Sequence, residues 1–428
     1  MRIAFYTLGC KVNQYETQAL REEFAKRGHT PVNEEDLFDA VVINSCTVTA
    51  ESDRKTRQVL HRFRRSNPNA VIVLTGCMVQ AAAEDSEELR CADIIVGNTD
   101  IKKTVDLTER FLREGERIVE ISPHIRRESF NTPSITDFAD KTRGFMKIED
   151  GCDRFCSYCI IPKARGFVRS KSLEQIKKEA EELAEKGFSE VVLVGINLSS
   201  YGKGEKTDLC DAIETVSRVK GIKRVRLGSL EPDLMSDSML ERLRGIEKFC
   251  PQFHLSLQAG CDRTLKRMNR HYDTAFYTDL VGRIRASFEN PSITTDIMVG
   301  FAGETEDEFK ESVEYLKFIG FSKAHVFAYS RRQGTVAYEL PNQISKGEKH
   351  RRSKIMCAAA EVCEEEFLRG QIGTRQEVLF ETEKNGEYFG YTKNYSGVWV
   401  TSNEDLRGKI KNVEIISSKK DFLTGKLL

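Results

Sequence analysis

The stretch GFMKIEDGCDRFCSYC (residues 144–159) runs from a short apolar strand, Gly144–Glu149, into a loop carrying Cys152, Cys156 and Cys159. The spacing is Cys-x3-Cys-x2-Cys. Three thiolates on one short loop can hold three irons of a [4Fe–4S] cube and leave the fourth iron open to a small bidentate ligand. Zinc would ask for a fourth protein ligand, and no nearby His or Cys supplies one. The strand is the first of six. Glu190–Gly195, Lys223–Gly228, Phe253–Gln258, Thr294–Val299 and Ala324–Phe327 follow, separated by helical patterns such as Leu173–Lys186, Asp208–Lys220 and Thr305–Ile319. Six β/α units in a row predict a partial (β/α)6 barrel over 144–369, ending in the helix Lys346–Arg369.

Upstream, residues 1–122 hold four nearly continuous apolar runs, Ile3–Gly9, Ala40–Ser45, Ala70–Gly76 and Ala92–Gly97. Runs of this kind suit parallel strands buried on both faces. With helices over Glu16–Arg27 and Asp53–Ser66 between them, they predict an open parallel α/β sheet. Residues 123–143 have two prolines and no strong period, and read as a linker. Downstream, in residues 370–428, short strands replace helices: Glu377–Glu383, Tyr388–Tyr395, Gly397–Thr401 and Gly408–Ser417. They predict a small antiparallel β-barrel, OB-like, of the kind that holds single-stranded nucleic acid. The fold class is α/β multidomain.

Lys+Arg and Asp+Glu both number 66 in 428 residues, so the net charge is zero. This excludes a wholly basic nucleic-acid coat but leaves room for a local basic face. No apolar run approaches the roughly 20 residues of a membrane span. The start, Met1-Arg2-Ile3-Ala4-Phe5-Tyr6, lacks the parts of a signal peptide, so a cytoplasmic protein without membrane partners is expected. Twelve cysteines in a reducing compartment favour metal or redox chemistry over a disulfide framework.

Cys10, Cys46 and Cys77 are far apart in sequence, yet each follows a predicted strand: Thr7-Leu8-Gly9-Cys10, Ile43-Asn44-Ser45-Cys46 and Leu74-Thr75-Gly76-Cys77. The carboxyl ends of parallel strands line a common crevice, so the three can converge. Gly9 and Gly76 would let backbone approach a bulky inorganic ligand. Cys91, Cys210, Cys250, Cys261, Cys357 and Cys363 have no metal spacing and read as ordinary.

The Cys152–Cys159 spacing, with an aromatic before the last cysteine, resembles the radical S-adenosylmethionine (SAM) superfamily. The strings TLGCKVNQYE (7–16), INSCTVT (43–49) and TGCMVQ (75–80) resemble the N-terminal domain of the methylthiotransferases within it, and the family's domain order spans the whole chain. The resemblance implies two [4Fe–4S] clusters, one on Cys152, Cys156 and Cys159 that binds and cleaves SAM, and an auxiliary one on Cys10, Cys46 and Cys77. It implies that a first SAM methylates a sulfur on the auxiliary cluster. The radical from a second then abstracts hydrogen from C2 of an adenine, which receives the methylthio group. It also implies a C-terminal TRAM domain for tRNA and an electron donor such as flavodoxin or ferredoxin. Lys11-Val12-Asn13-Gln14 after Cys10 is similar to the branch acting on N6-threonylcarbamoyladenosine in the tRNA anticodon loop, position 37. The alternatives are the isopentenyladenosine branch and a non-catalytic iron–sulfur RNA-binding sensor.

By the same resemblance, Tyr158, Gly195, Asn197, Ser256, Gln258, Val299 and Arg331 are expected around SAM. Lys11, Lys163, Arg165 and Arg331 are candidates for the substrate's carboxylate, and Lys163 and Arg165 alternatively face the RNA. Arg54, Arg57 and Arg62 lie on a helix without an acid between Arg54 and Arg65, a candidate phosphate-contacting face. Tyr388, Phe389, Tyr391, Tyr395 and Trp399 are candidates to stack on loop bases.

Overall fold

A computed structural model describes residues 1–82, 89–135 and 142–428; part of the predicted linker, residues 136–141, lies outside them. The N-terminal strands are β1 (Arg2–Thr7), β2 (Thr30–Val32), β3 (Ala40–Ser45), β4 (Val71–Gly76), β5 (Ile94–Val96) and β6 (Ile118–Glu120). They form one parallel sheet, ordered β2-β1-β3-β4-β5-β6. β3 is buried at every residue, as its continuous apolar run demands. The two edge strands, β2 and β6, were not predicted: neither sits in a longer apolar run, as the equally short β5 does within Ala92–Gly97.

The helix Lys11–Lys26 starts directly after Cys10, a full turn before the predicted Glu16, and no side chain caps it. Its extra turn buries Val12, Asn13 and Tyr15, and Glu16 beside it is buried too. Tyr15 Oη donates to Glu179 at 2.7 Å, and Val12, Tyr15 and Phe24 share one apolar core with Phe145, Met146 and Ile148 of the next domain.

The central strands are β7 (Gly144–Lys147), β8 (Glu149–Asp150), β9 (Arg169–Ser170), β10 (Glu190–Val194), β11 (Arg224–Leu227), β12 (Ser229–Leu230), β13 (Gln252–Leu255), β14 (Ser292–Val299) and β15 (Lys323–Ala328). β7, β10 and β11 pair in parallel, as do β12, β13, β14 and β15. β11 and β12 follow one another on either side of Gly228, and the six predicted β/α units are divided between two parallel sheets, β7-β10-β11 and β12-β13-β14-β15. Among the described residues β7 and β15 do not pair, and the barrel is partial. β8 and β9 make a small antiparallel ribbon flanking the cysteine loop.

Residues 375–427 form a closed barrel of β16 (Arg375–Lys384), β17 (Glu387–Thr392), β18 (Gly397–Thr401), β19 (Ile410–Ser418) and β20 (Leu423–Leu427). The last strand was not predicted. The barrel docks on two buried arginines of β11. Arg224 donates to the carbonyls of Glu377 and Tyr391 at 2.8 and 3.0 Å. Arg226 donates to those of Thr392 and Lys393 at 3.1 and 2.9 Å, and pairs with Glu190 at 2.7 Å. No helix among the described residues is long and apolar enough to cross a membrane.

Candidate active site

Thr7 pairs with Asn44, Asn44 with Thr75, and Ser45 with Gly76. The parallel register therefore ends the three strands at one level, and Cys10, Cys46 and Cys77 emerge together. A Cβ on Gly9 (φ +111°) would lie 2.9 Å from Cys46 Cβ and 3.1 Å from its sulfur. Gly9 thus makes room for a neighbouring cysteine, not for the inorganic ligand the sequence suggested. Asn13 pins the three strand ends. Its Nδ2 donates to the carbonyls of Leu8 (2.8 Å) and Ser45 (2.9 Å), while its Oδ1 accepts the thiols of Cys10 (3.8 Å) and Cys77 (3.9 Å).

Arg165 completes this site, and here the structure corrects the sequence. Expected to face RNA or substrate, Arg165 is fully buried. Its Nε lies 3.1 Å from Cys77 Sγ, one Nη donates to Asn13 Oδ1 at 2.8 Å, and the fork grips both Glu16 oxygens. Glu16 also takes Lys147 at 2.7 Å, and Lys147 takes Asp150 at 2.7 Å. Burial pushes the Cys77 thiol up to about 12, with the Arg165 charge pulling the other way.

The second triplet sits on a loop held from both sides. Cys152 N–H donates to Gly166 O, Cys159 N–H to Cys156 O and Ser157 N–H to Met268 O, all at 2.9 to 3.0 Å. Arg270 Nη1 lies 3.0 Å from Cys156 Sγ, so each triplet has one buried guanidinium on one sulfur. Burial pushes the thiols of Cys152 and Cys159 up to about 12; a metal that binds them takes the proton's place. A cavity of about 310 Å³ opens on the three cysteines and Lys163.

All six cysteines are free thiols. Among the described residues no three His, Cys, Asp or Glu side chains gather closely enough to share one metal ion. Each triplet is three separate soft donors without a carboxylate or imidazole among them. That donor set suits a cube, where each thiolate takes its own iron and one corner stays open.

Of the residues expected around SAM, Tyr158 belongs to the loop itself, and Asn197 reaches it with Nδ2 3.8 Å from Cys152 Sγ. A Cβ on Gly195 would come 2.5 Å from Glu149 Oε2 and 3.0 Å from Glu149 Cβ, so a larger residue there would displace that carboxylate. Glu149 Oε2 accepts the Asn197 N–H at 2.7 Å, and burial pushes the Glu149 carboxyl up to about 8. The Ser256 carbonyl accepts from Arg270, which ties it to Cys156. Tyr158 packs edge-on against Phe301. Gln258 (φ +72°) bridges to β14 through its backbone, and Val299 is wholly in the core. Arg331 turns away: Nε donates to Tyr338 O at 2.7 Å and the guanidinium lies 4.1 Å over the Tyr338 ring. Its neighbour Arg332 instead reaches the N-terminal domain, pairing with Asp53 at 2.5 Å.

On the helix Ala50–Ser66, Arg54 is exposed and paired with Glu51. Arg62 pairs with Glu34 and lies over the rings of Tyr6 and Phe63. Arg57 is half-buried on the same helix.

A larger cavity, about 680 Å³, occupies the inside of the partial barrel and reaches Cys10 and Lys11. Phe389, Tyr391 and Tyr395 wall one side of it. The Tyr391 and Tyr395 rings stack at 4.4 Å, under the guanidinium of Arg143. Tyr388 belongs to the small barrel's own core. Asn13, Glu16, Glu149 and Arg270 were missed in the sequence. Asn13 and Glu16 could have been found, standing three and six places after Cys10 on the helix it opens; Arg270 carries no local signal.

The described families match in the same order as these domains: "Uncharacterized protein family UPF0004" over residues 2–97, "Radical SAM superfamily" over 146–316 and "TRAM domain" over 369–428. The threonylcarbamoyladenosine tRNA methylthiotransferase MtaB of Bacillus subtilis is 35% identical, the alignment covering 100% of this chain and 96% of that one. The MtaB of Thermotoga maritima is 33% identical over 98% of both chains. A tRNA-2-methylthio-N(6)-dimethylallyladenosine synthase of Clostridium perfringens is 34% identical over 99% of this chain and 96% of that one. Among solved structures, the radical S-adenosylmethionine methyltransferase TsrM of Kitasatospora setae superposes with a TM-score of 0.60 at 13% identity, covering 78% of this chain and 73% of that one, a likeness of fold alone. With this identity held over its full length, the chain belongs to the radical SAM tRNA methylthiotransferase family.

Proposed function

We propose that this protein replaces the C2 hydrogen of N6-threonylcarbamoyladenosine, next to the tRNA anticodon at position 37, with a methylthio group. The observation that carries the reading is the convergence of two soft-donor triplets in one rigid frame, with Cys10 opening on a cavity large enough for a modified base. The relatives named for threonylcarbamoyladenosine support this substrate over the dimethylallyl one. Cys152, Cys156 and Cys159 hold the SAM-binding [4Fe–4S] cluster, and Cys10, Cys46 and Cys77 the auxiliary one. When bound, the clusters and SAM supply the one-electron chemistry, the sulfur and the methyl group.

The chain's own residues bind, align and exclude water. Asn197 and the Gly195 backbone frame the Cys152 side of the SAM site, and Arg270 fixes the Ser256 carbonyl beside Cys156. Asn13 and Arg165 orient the auxiliary triplet. Lys163 stands at the open side of the cysteine loop, where an anionic ligand or RNA arrives. Arg54, Arg57 and Arg62 contact phosphates of the anticodon arm, and the TRAM barrel adds its own surface. A flavodoxin or ferredoxin supplies electrons, and the protein works in the cytoplasm.

The test is in vitro. Reconstituted anaerobically with iron and sulfide, reduced, and given SAM, the enzyme should convert an anticodon stem-loop carrying threonylcarbamoyladenosine to the methylthio product. Absence of SAM cleavage under a strong reductant would return the reading to a non-catalytic iron–sulfur sensor.

A further inference from the structure

We propose that the interior of the barrel beside Cys10 is a subsite for a polar, carboxylate-bearing substituent on the exocyclic nitrogen of the substrate adenine, with Lys11 as the carboxylate's partner. The inference rests on the substrate reading above and names what holds the side group.

The interior of a closed β/α barrel is normally packed with Val, Ile and Leu. Here successive inward positions are polar: Gln252 and His254 on β13, Thr294 and Asp296 on β14, Lys323 and His325 on β15, all on the wall of the 680 Å³ cavity. A hollow lined this way is stable only if water or a polar ligand meets its groups.

The charges on that wall are largely used. Arg226 is paired with Glu190 and the carbonyls of the small barrel. Lys323 is paired with Glu364 at 2.9 Å. Lys11 has no carboxylate partner among the described residues; what faces its ammonium is the Phe145 ring, 6.0 Å away. An exposed cation on the cavity wall without a counter-ion favours an arriving anion. Lys11 directly follows Cys10, so an anion held there places the attached base at the auxiliary triplet.

The imidazole layer supplies the neutral contacts. His254 Nδ1 is 2.9 Å from Thr294 Oγ1, and its Nε2 is 3.4 Å from Asp296 Oδ2. The His325 ring lies 5.9 Å from that of His254, and its nitrogens have no hydrogen-bond partner among the described residues. Ser292 Oγ, buried on the same wall, also lacks one. These groups can serve a hydroxyl and the N–H and C=O groups of a carbamoyl. An apolar substituent of similar length would leave them and Lys11 unanswered, which is how a polar site rejects an apolar analogue.

The test uses the cluster-loaded full chain and three synthetic anticodon stem-loops bearing threonylcarbamoyladenosine, dimethylallyladenosine or plain adenosine at the same position. Affinity is read by fluorescence anisotropy, and cluster integrity by electron paramagnetic resonance. Lys11→Met should weaken the first RNA about tenfold or more, leave the other two unchanged, and be largely rescued in Lys11→Arg. His325→Leu, far from any cysteine in sequence, should weaken the first RNA several-fold. The subsite is overturned if both variants keep the wild-type ratios among the three RNAs, or if Lys11→Met weakens all three equally. If the wild type itself prefers the dimethylallyl RNA, the substrate reading falls and the subsite with it.

Discussion

Arg165 Nε lies 3.1 Å from Cys77 Sγ, while the helix that carries Arg165 continues from the Cys152–Cys159 loop. Gly166, next in the chain, accepts the N–H of Cys152. One buried side chain thus spans from the loop of one triplet to a sulfur of the other, and Glu16 and Asn13 fix its fork from the N-terminal domain. Hydrogen bonds and charge at a ligating sulfur are among the levers that set a cluster's potential.

Arg165→Met should therefore make the auxiliary cluster harder to reduce and uncouple the reaction, with SAM still cleaved but methylthio product lost. Leaving Glu16 without its bidentate partner should cost roughly 3–5 kcal/mol of stability. Arg165→Lys keeps the charge but not the fork, and should fall between the two. Redox titration, product yield and thermal unfolding read this. An unchanged potential with full coupling would contradict it.

Substituting one triplet should leave the other. Cys46→Ala should lower bound iron from about eight to about four per chain and abolish methylthio transfer while SAM cleavage persists. Cys156→Ala should lose SAM cleavage itself. Iron analysis and detection of 5′-deoxyadenosine separate the cases. Equal loss of both activities in Cys46→Ala would argue against independent clusters.

Glu149 gives a pH prediction. Burial raises its folded carboxyl to about 8, so the folded state keeps a proton that the unfolded chain releases near the ordinary value of about 4.5. Its contribution to stability is fully present below the unfolded value. It is lost as pH rises toward about 8, at most about 1.4 kcal/mol per pH unit. In Glu149→Gln this slope should vanish. Thermal unfolding of the metal-free protein at pH 5, 6, 7 and 8 checks it; parallel profiles for wild type and variant would refute the assignment.

Arg226→Met removes the nearer of the two arginines at buried Glu190, leaving Arg224 at 3.7 Å, and two hydrogen bonds to the C-terminal barrel. The expected loss is roughly 1–3 kcal/mol, with faster proteolysis between residues 369 and 375. A variant with wild-type proteolysis and melting would show that the barrel is held by other contacts.

The strongly periodic parts of the fold were legible in the sequence. The six barrel units, the four predicted N-terminal strands and the helix Lys346–Arg369 all appear. The short edge strands and the last strand of the small barrel did not: Thr30–Val32 and Ile118–Glu120 stand outside any longer apolar run, and Leu423–Leu427 carries Thr, Gly and Lys in place of a β-branched alternation. The convergence of Cys10, Cys46 and Cys77 followed from one rule about parallel strand ends. Arg165 was misjudged because a basic residue beside a cluster loop looks solvent-facing until its buried acids are known. Glu16 and Asp150 are distant in sequence and announce nothing by themselves. The polar barrel interior was hidden for a related reason: His254, Asp296 and His325 sit on different strands, and only the sheet brings them together.

The central claim is the reaction on the modified adenosine, and nucleoside mass spectrometry of tRNA from cells with and without this gene tests it most directly. The account predicts that 2-methylthio-N6-threonylcarbamoyladenosine disappears and its unthiolated precursor accumulates, with restoration by the wild-type gene but not by Cys46→Ala. Unchanged levels of that nucleoside in the deletion strain, or loss of the dimethylallyl one in its place, would contradict it.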